Sequence, residues 1–246
     1  MSLVSAHCVV LQSFPYGDTS RILRLLSPEL GLRSVIAKGA RRPRSRFGGL
    51  LEPFTEGEAH LYLKEGRDLH TLGGFDLLRS RQALGRDLVA FSGASLLAEI
   101  VLRTATEESN APLFEAVVGA LDALTEPASN AAVTALAAAW QIVSLLGYQP
   151  ETGCCVRCGR PLGLDEASRF DVDAGGAACT GCRPAGRVVD PASRLQLGRM
   201  ARGERPGDGE EMDWPLHRAL LRAFLPTHLA HNQPLRSLDL FADLLR

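Results

Sequence analysis

The chain has 246 residues, of which 46% are hydrophobic and 22% are charged, and its formal net charge is −1 at pH 7. These values exclude an intrinsically disordered chain, which combines low hydrophobicity with high net charge, and they allow one large domain or two small ones. The N-terminus lacks a basic region followed by a long apolar run, and the longest apolar stretch, residues 131–147, is interrupted by polar residues. We therefore expect a cytoplasmic protein without a membrane partner.

The first part of the chain, residues 1–78, contains five short runs typical of strands, separated by turn-forming residues. The runs cover residues 5–13, 19–27, 32–37, 54–64 and 69–77. Five strands in so short a segment favour a small closed barrel such as an OB-fold. The periodicity alone equally allows another small barrel, such as an SH3-like one.

Beyond these runs, apolar residues recur at helical spacing. Helices are predicted over residues 86–103, 113–124, 131–146, 191–200, 214–225 and 235–246. Ser129 or Asn130 can cap the third helix, and Pro226 is expected to end or kink the fifth. We therefore predict an α+β multidomain protein, with an OB-fold barrel in residues 1–79 and an all-α domain in residues 80–246.

Cysteine spacing predicts a metal site. Four of the six cysteines form two C-x-x-C pairs separated by twenty residues, Cys155 with Cys158 and Cys179 with Cys182. Four thiolates supply a closed tetrahedral site, which selects zinc or iron. Cys154 could replace Cys155, but Cys155 keeps the two-residue spacing. We predict one structural zinc ion in a four-cysteine zinc finger, inserted into the helical domain at about residues 150–190.

Basic residues are concentrated between Glu29 and Glu52, where no acidic residue occurs. The cations are Arg33, Lys38, Arg41, Arg42, Arg44 and Arg46. The interspersed Gly, Pro and Ser indicate a mobile or turning loop between two strands, and OB-folds bind nucleic acid through one barrel face and such loops. An acidic protein partner, or a solvated loop without a partner, are the alternatives.

Aromatic residues that could stack on bases are few in this region. Phe47, at the end of the basic run, is the best candidate; the others are Phe14, Tyr16, Phe54 and Tyr62. Few stacking residues favour binding dominated by the phosphate backbone and tolerant of sequence.

Motifs for nucleotide hydrolysis and for other enzymatic chemistry are missing from the sequence. It contains no G-x-x-x-x-G-K-[ST] loop, no G-x-G-x-x-G and no G-x-S-x-G. A zinc-dependent nucleobase deaminase would also need an H-x-E box, which is absent. We therefore expect a protein that is not an enzyme and has no nucleotide cofactor, with a zinc-dependent enzyme and a protein-only scaffold as competing hypotheses.

Five sequence blocks occur in order over much of the chain. They are Tyr16-Gly17-Asp18-Thr19-Ser20, Ala37-Lys38-Gly39-Ala40-Arg41-Arg42, Leu50-Leu51-Glu52-Pro53-Phe54, Glu107-Glu108-Ser109-Asn110 and Leu145-Leu146-Gly147-Tyr148-Gln149-Pro150. In this order they resemble the RecO family of bacterial recombination mediators. The zinc site is not implied by the resemblance, because not all members of that family keep the cysteines.

The resemblance implies binding of single- and double-stranded DNA, annealing of complementary strands and, with RecR, loading of RecA onto DNA coated with single-strand-binding protein. It also implies that Lys38 and Arg41 lie on the DNA-binding face of the OB-fold. The acidic C-terminal tail of single-strand-binding protein would need a cationic, partly apolar pocket. The expected location is the cytoplasm, in association with the nucleoid.

Overall fold

The computed structural model describes residues 2–64, 66–127, 129–183, 185–207, 210–229 and 235–244. The chain divides into two compact units, Met1–Arg86 with Ala105–Thr125, and Asp87–Thr104 with Glu126–Arg246. The sequence pattern does not predict that residues 105–125, which include a helix, belong to the same unit as the N-terminal strands. The boundary predicted after residue 79, and the limits of the zinc insertion, stay predictions.

The first unit contains a closed five-stranded barrel. Its strands are β1 (Ser2–Tyr16), β2 (Ser20–Ser27), β3 (Gly31–Ala37), β4 (Glu56–Leu63) and β5 (Leu69–Arg79). Their order around the barrel is β1-β2-β3-β5-β4, and every neighbouring pair is antiparallel except β3 and β5. A closed five-stranded barrel with this strand order is an OB-fold. The predicted OB-fold is therefore confirmed, and the SH3-like alternative is excluded.

Side chains alternate between the barrel interior and solvent, as strand geometry requires. Leu23, Leu25, Val35 and Leu61 are at most 1% exposed and belong to the interior cluster. A β-bulge between Val10 and Gln12 shifts the register of β1 against β2. The first predicted strand, residues 5–13, extends further in the structure, because Pro15 and Tyr16 continue β1 and pair with β2.

Six α-helices follow in the described residues, and all six were predicted. They are α1 (Leu88–Thr104), α2 (Ala111–Thr125), α3 (Ala131–Leu145), α4 (Pro191–Ala201), α5 (Trp214–His228) and α6 (Arg236–Leu244). Asn130 caps α3 by accepting a hydrogen bond from the backbone of Val133 at 3.2 Å. Pro226 lies inside α5, whose last residue is His228. The predicted extension of the last helix to residue 246 lies outside the described residues.

Residues 105–125 belong to the barrel unit because they bind the turn between β2 and β3. Leu32 donates its backbone N–H to the carbonyl of Thr106 at 2.9 Å. Gly31 has a φ of +65°, and a Cβ built there would lie 2.2 Å from the carbonyl oxygen of Glu108. A residue with a side chain would therefore push this segment off the turn.

The core of the second unit forms around α3, which packs against α1, α4 and α5. Trp140 is fully buried, and its ring meets Phe224 edge to face with centroids 5.3 Å apart. A Cβ at Gly93 would lie 2.6 Å from the Cβ of Ala135, so the glycine allows α1 to approach α3 closely. Within the described ranges, no helix combines the length and apolar character needed to cross a membrane.

The second unit also contains a small three-stranded sheet. Its strands are β6 (Ser168–Asp171), β7 (Gly176–Cys179) and β8 (Val188–Val189), in the order β7-β6-β8. The sequence pattern did not predict this sheet, because strands of two to four residues are too short to show alternation. The sheet carries part of the cysteine site.

Candidate nucleic-acid interface and metal centre

The chain between β3 and β4, residues 38–55, folds as a succession of turns and is termed the β3–β4 segment. One of these turns is closed by the N–H of Ser45, which donates to the carbonyl of Arg42 at 3.0 Å. The segment is joined to the barrel by the N–H of Arg41, which donates to the carbonyl of Thr19 at 2.8 Å. The loop predicted between two strands is therefore a series of turns that a backbone hydrogen bond fastens to the barrel.

Three apolar side chains hold the β3–β4 segment against the barrel. Ala40, Phe47 and Leu51 are 8%, 2% and 1% exposed and belong to the barrel's interior cluster. Their burial removes apolar surface from water and fixes the path of the chain between them. The polar residues between these anchors are left on the outside.

Five of the six predicted cations lie exposed on the β3–β4 segment. They are Lys38, Arg41, Arg42, Arg44 and Arg46. Among the residues that the structure describes, none of the five forms an ion pair with a carboxylate. Their positive charge is therefore available to an external anion.

Two of these cations also support the local structure. The guanidinium of Arg41 donates to the carbonyls of Gly17 and Asp18, at 3.2 and 3.4 Å, which fastens the segment to the β1–β2 turn. The guanidinium of Arg46 lies 5.0 Å from the centre of the Phe47 ring, at cation–π distance.

Arg33, the sixth predicted cation, is placed differently. It lies on β3, partly buried, and donates to the carboxylate of Glu107 and, at 3.0 Å, to the carbonyl of the same residue. Burial lowers the pKa of its guanidinium. Because Glu107 neutralises its charge, Arg33 contributes less to the positive surface than the other five.

Phe47, the predicted base-stacking residue, requires a correction. With its ring 2% exposed inside the barrel, Phe47 is a core residue and presents no face to a base. Tyr16 and Phe14 are instead 52% and 38% exposed at the end of β1. Gln12, Phe14 and Tyr16 alternate along the strand, so the polar Gln12 indicates that all three side chains face solvent. This alternation is the sequence signal that could have placed Phe14 and Tyr16 above Phe47 as candidates for base stacking.

The four predicted metal ligands come together in space. The sulfur atoms of Cys155, Cys158, Cys179 and Cys182 all lie within 4.8 Å of one another. The first pair lies in a turn, after which Gly159 adopts a φ of +75° and donates to the carbonyl of Cys155 at 2.8 Å. In the second pair, Cys182 donates its N–H to the carbonyl of Cys179 at 3.1 Å.

This arrangement fits a metal ion held by four thiolates. Zinc–sulfur bonds of about 2.3 Å place the sulfurs of a tetrahedral site about 3.8 Å apart, which agrees with separations below 4.8 Å. Cys154 is not in the cluster and instead forms a β-bridge with Pro161. The geometry therefore favours Cys155 over Cys154 as the fourth ligand.

Backbone donors favour the thiolate forms of two of the four cysteines, Cys155 and Cys179, and the thiolate is the form that binds a metal. Burial raises the pKa of Cys155, but N–H groups from Cys179, Cys158 and Arg157 outweigh it and lower this pKa to about 6. The N–H of Cys179 lies 3.3 Å from the sulfur of Cys155. The N–H of Cys182 lowers the pKa of Cys179.

A buried carboxylate, which the sequence analysis missed, connects the two cysteine pairs. Asp171, at the end of β6, has a fully buried side chain. It accepts from Arg157 at 2.6 Å and pairs with Arg183 at 3.0 Å. Arg157 lies between the cysteines of the first pair, and Arg183 directly follows the second, so Asp171 holds both turns together.

Comparison with known proteins gives matches over nearly the whole chain. The family described as "Recombination protein O N terminal" matches residues 1–81, and "Recombination protein O C terminal" matches residues 85–239. The protein named DNA repair protein RecO from Anaeromyxobacter sp. (strain K) is 34% identical over 241 residues, 94% of each chain. The protein of the same name from Thermobifida fusca (strain YX) is 32% identical over 246 residues, 98% of each chain.

These matches agree with the structure, since the first family description covers the barrel and the second covers the region of the helices and the cysteine cluster. They also confirm the resemblance drawn from the five sequence blocks. The chain therefore belongs to the RecO family of DNA repair proteins, and its role is in recombinational DNA repair.

Proposed function

We propose that this protein is a non-enzymatic recombination mediator that binds single- and double-stranded DNA through the β3–β4 segment and anneals complementary strands. With RecR, it helps to load RecA onto DNA coated with single-strand-binding protein. The observation that carries this proposal is the set of five exposed cations on that segment, none of them ion-paired within the described residues. Membership of the RecO family supports the same assignment.

The chemistry of this surface suits the phosphate backbone. Each cation that neutralises a phosphate releases a condensed counterion, which favours binding without regard to sequence. Two strands whose phosphates are neutralised repel each other less, so complementary bases can pair without nucleotide hydrolysis. The surface therefore supports both binding and annealing.

We propose zinc as the metal of the four-cysteine cluster. Four thiolates close the coordination sphere, so such an ion fastens the two cysteine turns and leaves no position for a catalytic water. A closed site of this kind supports the proposal that the protein is not an enzyme.

A cavity in the second unit offers a place for the acidic tail of single-strand-binding protein. Its volume is about 980 Å³, and its lining combines Leu162, Leu164 and Leu195 with Arg199 and Arg202. Arg199 and Arg202 are ion-paired with Glu210 and Glu204 in the unbound protein, so an acidic peptide with apolar residues would bind by displacing these carboxylates from the arginines. A labelled peptide of that tail should bind the protein, and Leu195→Asp should abolish its binding.

The test of DNA binding is fluorescence anisotropy of a labelled single-stranded oligonucleotide, titrated at about 50 and 200 mM salt. If the five cations each meet a phosphate, affinity should fall roughly 100-fold between these concentrations. Binding that is absent at the lower salt would overturn the proposed function.

A charge-matched pair of variants tests the location of binding. Replacing Arg42, Arg44 and Arg46 with Ala removes three exposed cations from the β3–β4 segment and spares Arg41, which holds the β1–β2 turn. The control variant replaces three exposed arginines elsewhere, Arg86, Arg187 and Arg205. We expect weaker binding to every DNA sequence in the first variant only; equal losses in both would remove the segment from the proposal.

A further inference from the structure

An exposed aromatic pair lies on the outer face of the barrel. Phe14 and Tyr16 are two residues apart on β1 and so point to the same side of the strand. Ser13, the residue directly before Phe14, is paired with Leu23, whose side chain is in the barrel interior. Phe14 and Tyr16 therefore point away from the interior, in agreement with their exposure of 38% and 52%.

Aliphatic side chains extend this surface across the next two strands. Ile22 on β2 is opposite Phe14, and Ile36 on β3 is opposite Ile22. Both isoleucines are partly exposed, and the residues beside Ile36, Val35 and Ala37, lie in the interior. These four outward side chains, Phe14, Tyr16, Ile22 and Ile36, are termed the aromatic face.

The aromatic face borders the exposed cations of the β3–β4 segment. Gly17 and Asp18, which directly follow Tyr16, accept hydrogen bonds from the guanidinium of Arg41. Lys38 follows the last residue of β3, two positions after Ile36. An apolar surface bounded by cations that have no carboxylate partner in the described part of the chain suits a ligand that has both flat apolar groups and regularly spaced anions.

We infer that the aromatic face takes the bases of single-stranded nucleic acid while its phosphates lie on the cations of the β3–β4 segment. This inference rests on the proposed function and deepens it, because it assigns a preference for single strands. In a duplex the base faces are stacked on one another, whereas in a single strand they are free to stack on protein aromatics. The phosphates are accessible in both, so the cations alone give no such preference.

The test compares a Phe14→Ala, Tyr16→Ala double variant with the unmodified protein. Three labelled ligands of equal length are used at one low salt concentration: oligothymidine, a blunt duplex and an abasic strand. Stacking on an aromatic ring contributes roughly 5- to 150-fold in affinity per base. We expect the double variant to lose at least about 10-fold on oligothymidine, with less than about 2-fold change on the duplex and the abasic strand.

Two further variants separate stacking from folding. Tyr148→Ala removes a tyrosine of 40% exposure from the second unit and should keep full affinity. Tyr16→Phe keeps the ring and should also bind oligothymidine as the unmodified protein does. Thermal melting of each variant checks that the barrel remains folded.

Equal losses on single strand and duplex, or no loss on either, would overturn the inference while leaving the proposed DNA binding in place. If the unmodified protein binds none of the three ligands, the proposed function fails and the inference fails with it. An oligonucleotide carrying 5-iododeoxyuridine gives an independent readout, because it crosslinks on irradiation to stacked aromatic residues. Crosslinks at Phe14 or Tyr16 support the inference, and crosslinks confined to other residues contradict it.

Discussion

The β3–β4 segment and the cysteine segment, residues 151–189, are two largely irregular stretches that become ordered in different ways. In the first, three apolar side chains enter the interior of an existing barrel. The second has only a small cluster of its own, in which Cys155 and Cys179 pack with Leu162, Ala177 and Ala178. An irregular segment can thus be ordered by a neighbouring core or, where the core is small, by the metal that its side chains hold.

The two segments also use arginine differently. Arg157, Arg160 and Arg183 of the cysteine segment form ion pairs with Asp171 or Glu166. The five cations of the β3–β4 segment form none within the described residues. Arginine is a structural residue in the first case, whereas in the second its charge remains available to a partner.

Loss of the metal should have the largest effect, and it should be confined to the cysteine segment. Cys158→Ser should release the metal and disorder residues 151–189, since zinc binding contributes roughly 10–16 kcal/mol to folding in zinc-finger peptides. Metal analysis and hydrogen exchange measure both effects, and barrel peptides should exchange as before. Cys154→Ser is the control and should keep its metal; metal retained in Cys158→Ser would show that the ligands are wrongly assigned.

The β3–β4 segment should respond instead to loss of its apolar anchor. Phe47→Ala should destabilise the barrel by about 3–5 kcal/mol, because truncation of a buried ring leaves a cavity. Urea unfolding of the barrel measures this loss, and the metal content should not change. Phe47→Leu fills part of the cavity and should cost less. A change below about 1 kcal/mol for Phe47→Ala would mean that the ring does not anchor the segment.

Asp171→Asn should have an intermediate effect on the metal site. The substitution removes the charge that holds Arg157 and Arg183, and loss of such supporting interactions weakens metal binding about 10-fold or more. Transfer of zinc to a chromophoric chelator measures its retention. Asp173→Asn, at a nearby exposed position without an ion pair in the described structure, is the matched control. Equal transfer rates in the two variants would remove Asp171 from this role.

The smallest effect on stability is expected at the exposed cations. Arg44→Ala should change the free energy of unfolding by less than about 0.5 kcal/mol, because the side chain is exposed and unpaired within the described residues. Arg81, 4% exposed and bound to Glu56 and Asp122 in the same unit, is the contrast. Arg81→Ala should cost roughly 3–5 kcal/mol, since it removes the guanidinium that neutralises the buried carboxylate of Glu56 and leaves that carboxylate with His7 as its remaining partner among the described residues. Similar values for the two variants would contradict the distinction between ion-paired and exposed arginines.

Much of this architecture could be predicted from local sequence patterns. Short runs bounded by turn-forming residues gave the five barrel strands, and helical spacing gave the six helices, with ends that differ from the structure by a few residues. The spacing of the cysteines gave a cluster that the structure assembles. The short sheet β6–β8 was missed because its strands contain too few residues to show a period.

The sequence by itself determined the cysteine pairs, the basic run and the order of strands and helices, because each depends on residues close together in the chain. Only the tertiary structure decided that Phe47 is buried, that Glu107 neutralises Arg33 and that Asp171 joins the two cysteine turns. These outcomes depend on partners that are distant in sequence. Burial and ion pairing are set by which elements pack together, and local periodicity carries little information about that choice.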